Sequence, residues 1–416
     1  MTSKKRTILM KFNNLNRSEA LVCVGRCNNF NDITLRFSKE FLGLEKYTTI
    51  SEYPGADHFV DLQKQNISDL HSDGWLAVKN TISIEEVILK DRLLRNISYF
   101  EAKELVVKVA KYFYELYSKN SFKVLVVHPV DNYVMDVMVQ MAEKFNIAVY
   151  GVCAFFVGGY KRVSVFGEHN AIREVSQEEV QTFKKKITDK YKSPMVSSFS
   201  KALKGSISYY FKYKLKYLYF YLLKYKLLGR LEYDYISTPH AATVNKLTDL
   251  FPFKYFSTTL PEKVSDNDIY IPMHYHPEAT IEYWASDTTF VDYLTSLIEV
   301  VRKLSDEGFN VYLKEHPAMC FRQDKSLYKK LLNIKNVKII NPYVETGQVL
   351  DMFNNVAVWT GSTGIEALLN DKKVYFISSN YYFSKQNDSL YEVKQFTTEQ
   401  EKDDFVEYLL QNTIIW

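Results

Sequence analysis

The chain has 416 residues, of which 46% are hydrophobic, enough for two ordinary domains that each have their own core. Lys and Arg number 53 against 49 for Asp and Glu, a net charge of +4, and so even a balance does not favour a nucleic-acid binder. The apolar runs are too short for a signal peptide or a transmembrane helix, so we expect a cytoplasmic protein.

Residues 1–195 alternate between segments typical of strands and of helices. Thr7–Phe12 and Lys123–Pro129 are short, apolar and β-branched, as buried strands are. Apolar residues recur at helical spacing over Tyr133–Asn146, and Ile147–Phe155 has the pattern of the next strand. Strand, helix and strand at this spacing predict a parallel sheet with right-handed crossovers, and therefore one Rossmann-like domain.

Residues 196–235, the basic aromatic segment, differ from the rest of the chain. Between Lys201 and Arg230 there are seven Lys, one Arg, seven Tyr and no acidic residue. Such a helix suits a membrane surface, where Tyr lies at the headgroup level and Lys reaches anionic lipid. A helix packed on its own protein with a solvated Lys face is the alternative. RNA binding is less favoured because the pattern is restricted to one helix.

Residues 236–396 repeat the alternation, with five strand-like and four helix-like segments. The longest helical segment, 288–308, ends at Gly308, a typical helix stop. This half therefore predicts a second doubly wound α/β domain. Residues 397–416 are predicted to form a final amphipathic helix, capped by Thr397 or Thr398.

In the second half, the stretch "VWTGSTGIEAL" (358–368) joins an apolar run to a helical pattern through a small, hydroxyl-rich turn. Amide groups at a helix start attract anions, and hydroxyl groups add donors. The alternative is an ordinary capped helix at a sheet edge, and a P-loop is excluded because no Gly-Lys-Ser/Thr follows. The turn predicts a seat for a nucleotide phosphate at Gly361, Ser362, Thr363 and Gly364, with Glu366 accepting from a ribose hydroxyl.

A second candidate group follows another predicted strand, at "YLKEHP". Ligands of open α/β sheets bind at the carboxyl ends of strands, and Lys314 and His316, followed by Pro317, are placed to hold phosphate charge there. The nearby stretch 270–284 carries His274, His276 and Glu278. Its spacing does not suit a metal, because Pro277 interrupts the strand and no third ligand has an obvious place. We predict instead a loop that contacts the donor sugar or base.

In the first half, Asp131 and Asp136 follow a predicted strand end and are candidates for a general base in a cleft between the domains. His128 precedes them. Arg92, Arg95 and Arg162 suit a bidentate grip on a carboxylate. For each of these groups, a surface turn or a helix ion pair is the alternative.

Three segments together resemble a known family. "HYHPEAT", "LKEHP" and "TGSTGIEAL" resemble motifs of the bacterial capsule and surface-polysaccharide biosynthesis family, whose characterised members are GT-B glycosyltransferases. The resemblance is strongest over 270–377, and "DRLLR" and 128–136 are fainter matches. It implies a GT-B-like α/β fold, in which two Rossmann-like domains face a cleft, with the acceptor bound by 1–195 and the nucleotide donor by 236–396. The basic aromatic segment has no counterpart among the motifs.

The resemblance also implies a chemistry. Relatives that use CMP-linked ulosonic acids such as Kdo handle the CMP phosphate with their His-Pro and Ser/Thr-Gly segments, which match Lys314, His316, Ser362 and Thr363. A nonulosonic acid or Kdo carries a carboxylate that the three arginines could hold. No metal or other cofactor is expected, since a CMP leaving group has one phosphate. The acceptor would be a glycan or a lipid-linked glycan at the inner face of the cell membrane.

Other functions remain open at this point. A phosphotransferase using CDP-glycerol or CDP-ribitol would share the basic helix and could use His128 with His316. A non-catalytic scaffold of capsule assembly could retain the fold alone. A nucleotide-sugar epimerase is a weaker alternative.

Overall fold

A computed structural model describes residues 12, 14–25, 28–62, 81–188, 199–219, 222–223, 227, 252–257, 260–285, 288–317, 319–320, 323–378 and 390–416. The predicted strand Thr7–Phe12 lies outside the described residues, except for Phe12. The basic aromatic segment is described only in part.

The N-terminal sheet, with the helices on it, forms the N-lobe. Its strands run in the order β13-β6-β5-β4-β1-β2-β3, in which β1 to β5 are parallel and β6 pairs antiparallel with both of its neighbours, β5 and β13. The five parallel strands thus have the Rossmann order, with a switch point between β1 and β4. The strands are β1 (Ala20–Cys23), β2 (Thr48–Ser51), β3 (His58–Phe59), β4 (Val124–Val127), β5 (Ala148–Ala154), β6 (Tyr160–Val163) and β13 (Thr413–Ile415).

Amphipathic helices cover this sheet because their apolar stripes need a partner surface. The longest begins at a capping box, in which the Ser98 side chain accepts from the Glu101 amide and Glu101 bonds back to Ser98. The N-lobe helices are α1 (Asn28–Arg36), α2 (Ile84–Lys90), α3 (Tyr99–Lys119), α4 (Tyr133–Lys144) and α5 (Gln177–Thr188), and α6 (Phe199–Leu218) follows in the basic aromatic segment.

The second sheet and its helices form the C-lobe. The strand order is β12-β11-β10-β7-β8-β9, and all strands except β12 are parallel. The Rossmann order therefore recurs, with a switch point between β7 and β10. The strands are β7 (Asp268–Pro272), β8 (Asn310–Lys314), β9 (Val337–Ile340), β10 (Asn355–Val358), β11 (Lys373–Phe376) and β12 (Glu392–Lys394). The helices are α7 (Ala279–Glu282), α8 (Tyr293–Asp306), α9 (Lys325–Leu332), α10 (Thr346–Met352) and α11 (Thr363–Leu369).

The end of the chain returns to the N-lobe. Helix α12 (Glu399–Gln411) is capped by Thr398, as predicted, and packs on α5. The predicted final helix is too long, because the β-branched run Thr413–Ile415 leaves the helix and pairs as β13 with β6.

The two lobes meet through the chain that follows β7. The Trp284 indole donates to the carbonyl of Val130 in the loop after β4, 3.0 Å away, and the Tyr283 hydroxyl donates to Asp91 over 2.9 Å. The loop after β4 consequently contacts the segment that follows β7. The predicted fold class, a GT-B-like pair of Rossmann-like lobes with a basic helical insertion, is confirmed.

Candidate functional site

Three adjacent parallel strands of the C-lobe end at one edge, and each end carries candidate residues. The order β10-β7-β8 places His274, after β7, between the Gly361 turn after β10 and His316 after β8. Open α/β sheets bind ligands at such an edge, beside the switch point. The structure therefore brings together the two C-lobe segments that the sequence singled out, with His274 between them.

His274 is fixed on several sides. Its Nε2 accepts from the Thr360 amide at 3.3 Å, and its own amide donates to the Tyr293 hydroxyl at 2.9 Å. Burial, together with the nearby His316 and His276, lowers the pKa of His274 to about 3. The ring is thus neutral at physiological pH, and the acceptor role of Nε2 leaves the proton on Nδ1.

His316 lies just beyond β8 and is half-buried. Its ring packs edge-on against Tyr275, with 5.5 Å between ring centres. The preceding Glu315 is buried and points elsewhere, because its carboxylate accepts from the Tyr328 hydroxyl at 3.0 Å. Burial raises the pKa of Glu315 to about 7. His316 and Glu315 therefore lie in different environments although they are adjacent in sequence.

Lys314, the last residue of β8, is buried, and its ammonium donates to the Thr346 hydroxyl at 3.1 Å. Burial lowers the pKa of Lys314 to about 8, so the side chain is still mainly charged at neutral pH. Its ammonium is directed at the first turn of α10. Pro317 follows His316 in a turn.

The turn after β10 contains both predicted hydroxyl residues. Ser362 and Thr363 are half-buried at the start of α11, and the Ser362 side chain does not cap that helix. Burial raises the pKa of Glu366 to about 7, although a hydrogen bond with Ser362 partly opposes this. The contact of Glu366 with a ribose stays a prediction.

The two glycines of the turn have different surroundings. A Cβ added at Gly361 would lie 3.3 Å from His274 Cε1, so this glycine lets the turn approach the histidine. A Cβ at Gly364 would lie 2.8 Å from Val358 Cγ2 and 3.2 Å from Phe376. Gly364 therefore allows α11 to pack closely on its own sheet, and its contact with a phosphate stays a prediction.

The loop after β7 includes the other predicted contact residues. His276 is half-buried next to the Tyr293 ring, and burial lowers its pKa to about 4. Glu278 accepts from the Thr280 hydroxyl at 3.0 Å, and burial raises its pKa. Across the described ranges no group of three or more His, Cys, Asp or Glu residues is arranged to hold a metal ion.

The predicted carboxylate-binding arginines are bound within the protein. Arg92 and Arg95 both pair with Glu282, whose side chain is fully buried, so they hold a carboxylate of the C-lobe instead of presenting an open fork. Arg162 is buried in β6 and donates to the backbone carbonyls of Gly167 and Glu168. These contacts differ from the predicted binding of a donor-sugar carboxylate. The guanidinium groups of Arg92 and Arg95 join the two lobes, and that of Arg162 bonds to backbone carbonyls of the N-lobe.

The candidate bases lie at the facing edge of the N-lobe. Asp131 is buried in the loop after β4, next to Val130, whose carbonyl accepts from Trp284. Asp136 is buried within α4 and accepts from Gln140 at 2.8 Å, and burial raises its pKa to about 6. His128 is buried and bonds through Nδ1 to Thr34 at 2.8 Å.

Some residues at the edge were not expected from sequence. The Tyr293 ring is buried between His276, His274 and Trp359, with ring centres 5.3–5.7 Å apart. Asp91 accepts from the amides of Leu93, Leu94 and Tyr133 as well as from Tyr283. A buried tyrosine near a helix start resembles an ordinary core residue, so its pattern gives no functional signal. The aspartate could have been flagged only as a local turn former.

The fold and this edge define a GT-B-like α/β protein. Residues 281–415, about a third of the chain, match the model of the capsule polysaccharide biosynthesis protein family. The resemblance predicted from the motifs is therefore confirmed over that region, which includes the His316 and Ser362 segments.

The chain is also similar to solved structures. Two are of Thermosulfurimonas dismutans KpsC: the beta Kdo 2,7 transferase (12% identity, covering 73% of this chain and 79% of that one) and the beta Kdo 2,4 transferase (13%, 70% and 79%), both at a TM-score of 0.33. A third is the UDP-GlcNAc 2-epimerase of Methanocaldococcus jannaschii, with 11% identity, coverages of 87% and 84%, and a TM-score of 0.26. No curated protein matches the chain.

Proposed function

We propose that this chain is a glycosyltransferase of surface-polysaccharide biosynthesis. It transfers a sugar, an ulosonic acid, from a CMP-activated donor to a glycan or glycolipid acceptor. The observation that carries the proposal is the convergence of His274, His316 and the Ser362 turn at the switch-point edge of the C-lobe. The match of residues 281–415 to capsule polysaccharide biosynthesis proteins supports the same pathway.

The C-lobe edge would bind the leaving group. Half-buried imidazole and hydroxyl groups can donate to a phosphate in a site of low dielectric, where hydrogen bonds stabilise developing charge strongly. His316 and the hydroxyl groups of Ser362 and Thr363 would contact the CMP phosphate, and neutral His274 would position the turn through Thr360. Lys314, buried at the end of β8, would contribute positive charge to the same site.

The N-lobe would supply the base. The acceptor hydroxyl attacks the anomeric carbon, the bond from that carbon to the phosphate oxygen breaks, and CMP leaves as an anion. Asp131 would take the hydroxyl proton. We favour it over Asp136 because Asp131 lies in the loop that meets the C-lobe, whereas Asp136 lies within α4 and bonds to Gln140.

The experiment combines binding with turnover. Calorimetry with CMP and with CDP tests the nucleotide, and a donor panel of CMP-Kdo, CMP-linked nonulosonic acids, CDP-glycerol and CDP-ribitol tests the reaction. We expect heat with CMP and release of CMP from a CMP-linked sugar. Turnover only with a CDP-linked donor would replace the proposal by the phosphotransferase, and no heat with either nucleotide in a folded protein would support the scaffold.

Residue roles are tested in the same assay. His316→Ala should lower kcat by about 10²- to 10³-fold, the range for loss of one well-placed donor to a developing anion. His58→Asn is the matched control, since His58 lies on the far edge strand β3 and should leave kcat unchanged. An unaltered kcat in His316→Ala would remove His316 from the mechanism.

A further inference from the structure

Helix α6 presents an exposed apolar stripe. Ile207, Phe211, Leu215 and Leu218 are 37%, 55%, 67% and 50% exposed. At 100° per residue these positions fall within an arc of about 80° on one helix face. Beyond the helix, Leu222 and Leu227 are exposed by 54% and 75%. An aligned set of large apolar side chains in water is unfavourable, and it indicates an interaction surface.

No helix or strand of the described part forms a close-packed interface with α6. The same part of the chain contains no helix that is both long enough and apolar enough to cross a bilayer. The stripe is therefore suited to lie along a surface.

The charge around the stripe selects the partner. Lys204 and Lys212 are exposed, and the Lys214 ammonium lies 5.7 Å from the centre of the Tyr210 ring. Lys201–Arg230 as a whole carries eight basic residues and no carboxylate. A protein partner would need a complementary acidic groove of matching length. An anionic bilayer offers both an apolar interior and negative charge. Its acyl chains accept the stripe and its headgroups attract the lysines.

We propose that α6 is a docking surface for the anionic lipid bilayer. The stripe of Ile207, Phe211, Leu215 and Leu218 enters the headgroup–acyl boundary, and the surrounding lysines contact lipid phosphates. This proposal goes beyond the proposed function, because it assigns a membrane-binding element and the lipid chemistry that it recognises. Binding at this surface requires neither donor nor acceptor, so it can succeed or fail independently of the transferase proposal.

The test is cosedimentation of the full chain with vesicles. We expect the wild type to bind phosphatidylglycerol-containing vesicles at least tenfold more tightly than pure phosphatidylcholine vesicles. Phe211→Ser combined with Leu215→Ser should lose that binding by tenfold or more. Lys204→Glu combined with Lys212→Glu should abolish the preference for anionic lipid. The matched control is Phe100→Ser, which removes an aromatic side chain that is 82% exposed on α3, and its vesicle binding should equal that of the wild type.

Circular dichroism and CMP calorimetry on each variant separate loss of docking from loss of folding. Equal binding by the wild type and the Phe211→Ser, Leu215→Ser variant would overturn the proposal. So would equal binding to neutral and anionic vesicles, or tight RNA binding in a mobility-shift assay that the lysine variant abolishes without any vesicle binding.

Discussion

At the scale of single residues, the environment of His274 decides its chemistry. The imidazole accepts from Thr360, and burial together with the nearby His316 and His276 holds it neutral. A neutral imidazole at a strand end can accept a hydrogen bond from the neighbouring turn and so hold that turn in place. Its acid–base behaviour can be measured through stability.

The first prediction concerns His274 and pH. The pKa of His274 is about 3 in the folded protein, against an ordinary 6.5, so only the unfolded chain takes up this proton as the pH falls below 6.5. Stability linked to His274 is thus present above 6.5 and is lost as the pH falls toward 3. Between pH 7 and 5, the wild type should lose about 2 kcal/mol more unfolding free energy than His274→Gln.

Urea unfolding at pH 5, 7 and 8.5 measures this difference. The two proteins should change in parallel between pH 7 and 8.5, where His274 is neutral in both states. An equal loss of stability between pH 7 and 5 in both proteins would show that His274 is not held neutral in the folded state.

The second prediction separates the two glycines of the turn. Gly364→Ala would place a methyl group 2.8 Å from Val358 Cγ2, and such overpacking costs about 1–3 kcal/mol of unfolding free energy. Gly361→Ala would place a methyl group 3.3 Å from the edge of the His274 ring, a milder overlap, so it should cost less unfolding free energy than Gly364→Ala while CMP binding weakens. Urea unfolding and calorimetry check both, and the reverse ranking of stabilities would contradict these roles.

At the scale of elements, the regular strands and helices were accessible from sequence. The runs around Val124–Val127 and Asn355–Val358 are buried on both faces of parallel sheets, and such strands have continuous apolar patterns. Gly308 adopts a φ of +96° after α8, as a helix-ending glycine does. Because parallel strands end at one edge, the meeting of the His316 and Gly361 segments could also be predicted.

The partners of the arginines could not be predicted. Glu282 is 190 residues from Arg92 along the chain, and their pairing depends on how one lobe docks on the other. A local pattern such as "DRLLR" indicates a cationic cluster but does not identify the carboxylate with which the arginines pair. The positions of Asp91 and Tyr283, 192 residues apart, are hidden from local sequence for the same reason.

At the scale of the whole molecule, the segment after β7 couples the lobes. Within one turn, Glu282, Tyr283 and Trp284 each contact the N-lobe. Contacts of this kind fix the position of one lobe relative to the other. Removing one member of a buried ion pair leaves the other charge buried without compensation, which is destabilising.

The third prediction follows from that coupling. Glu282→Ala leaves Arg92 buried without this carboxylate and should lower the unfolding free energy by about 3–5 kcal/mol. The matched control is Glu115→Ala, which breaks an exposed pair with Lys119 and should cost about 1 kcal/mol or less. Thermal or urea unfolding checks both, and equal effects would contradict a buried inter-lobe ion pair.

The most direct test of the account is a crystal structure of the chain with CMP. The CMP phosphate should lie within hydrogen-bond distance of the His316 ring and of a hydroxyl group at Ser362 or Thr363, on the side of the C-lobe that faces Asp131. A phosphate bound away from this edge would contradict the account, as would a structure in which nucleotide at saturating concentration leaves the edge unliganded.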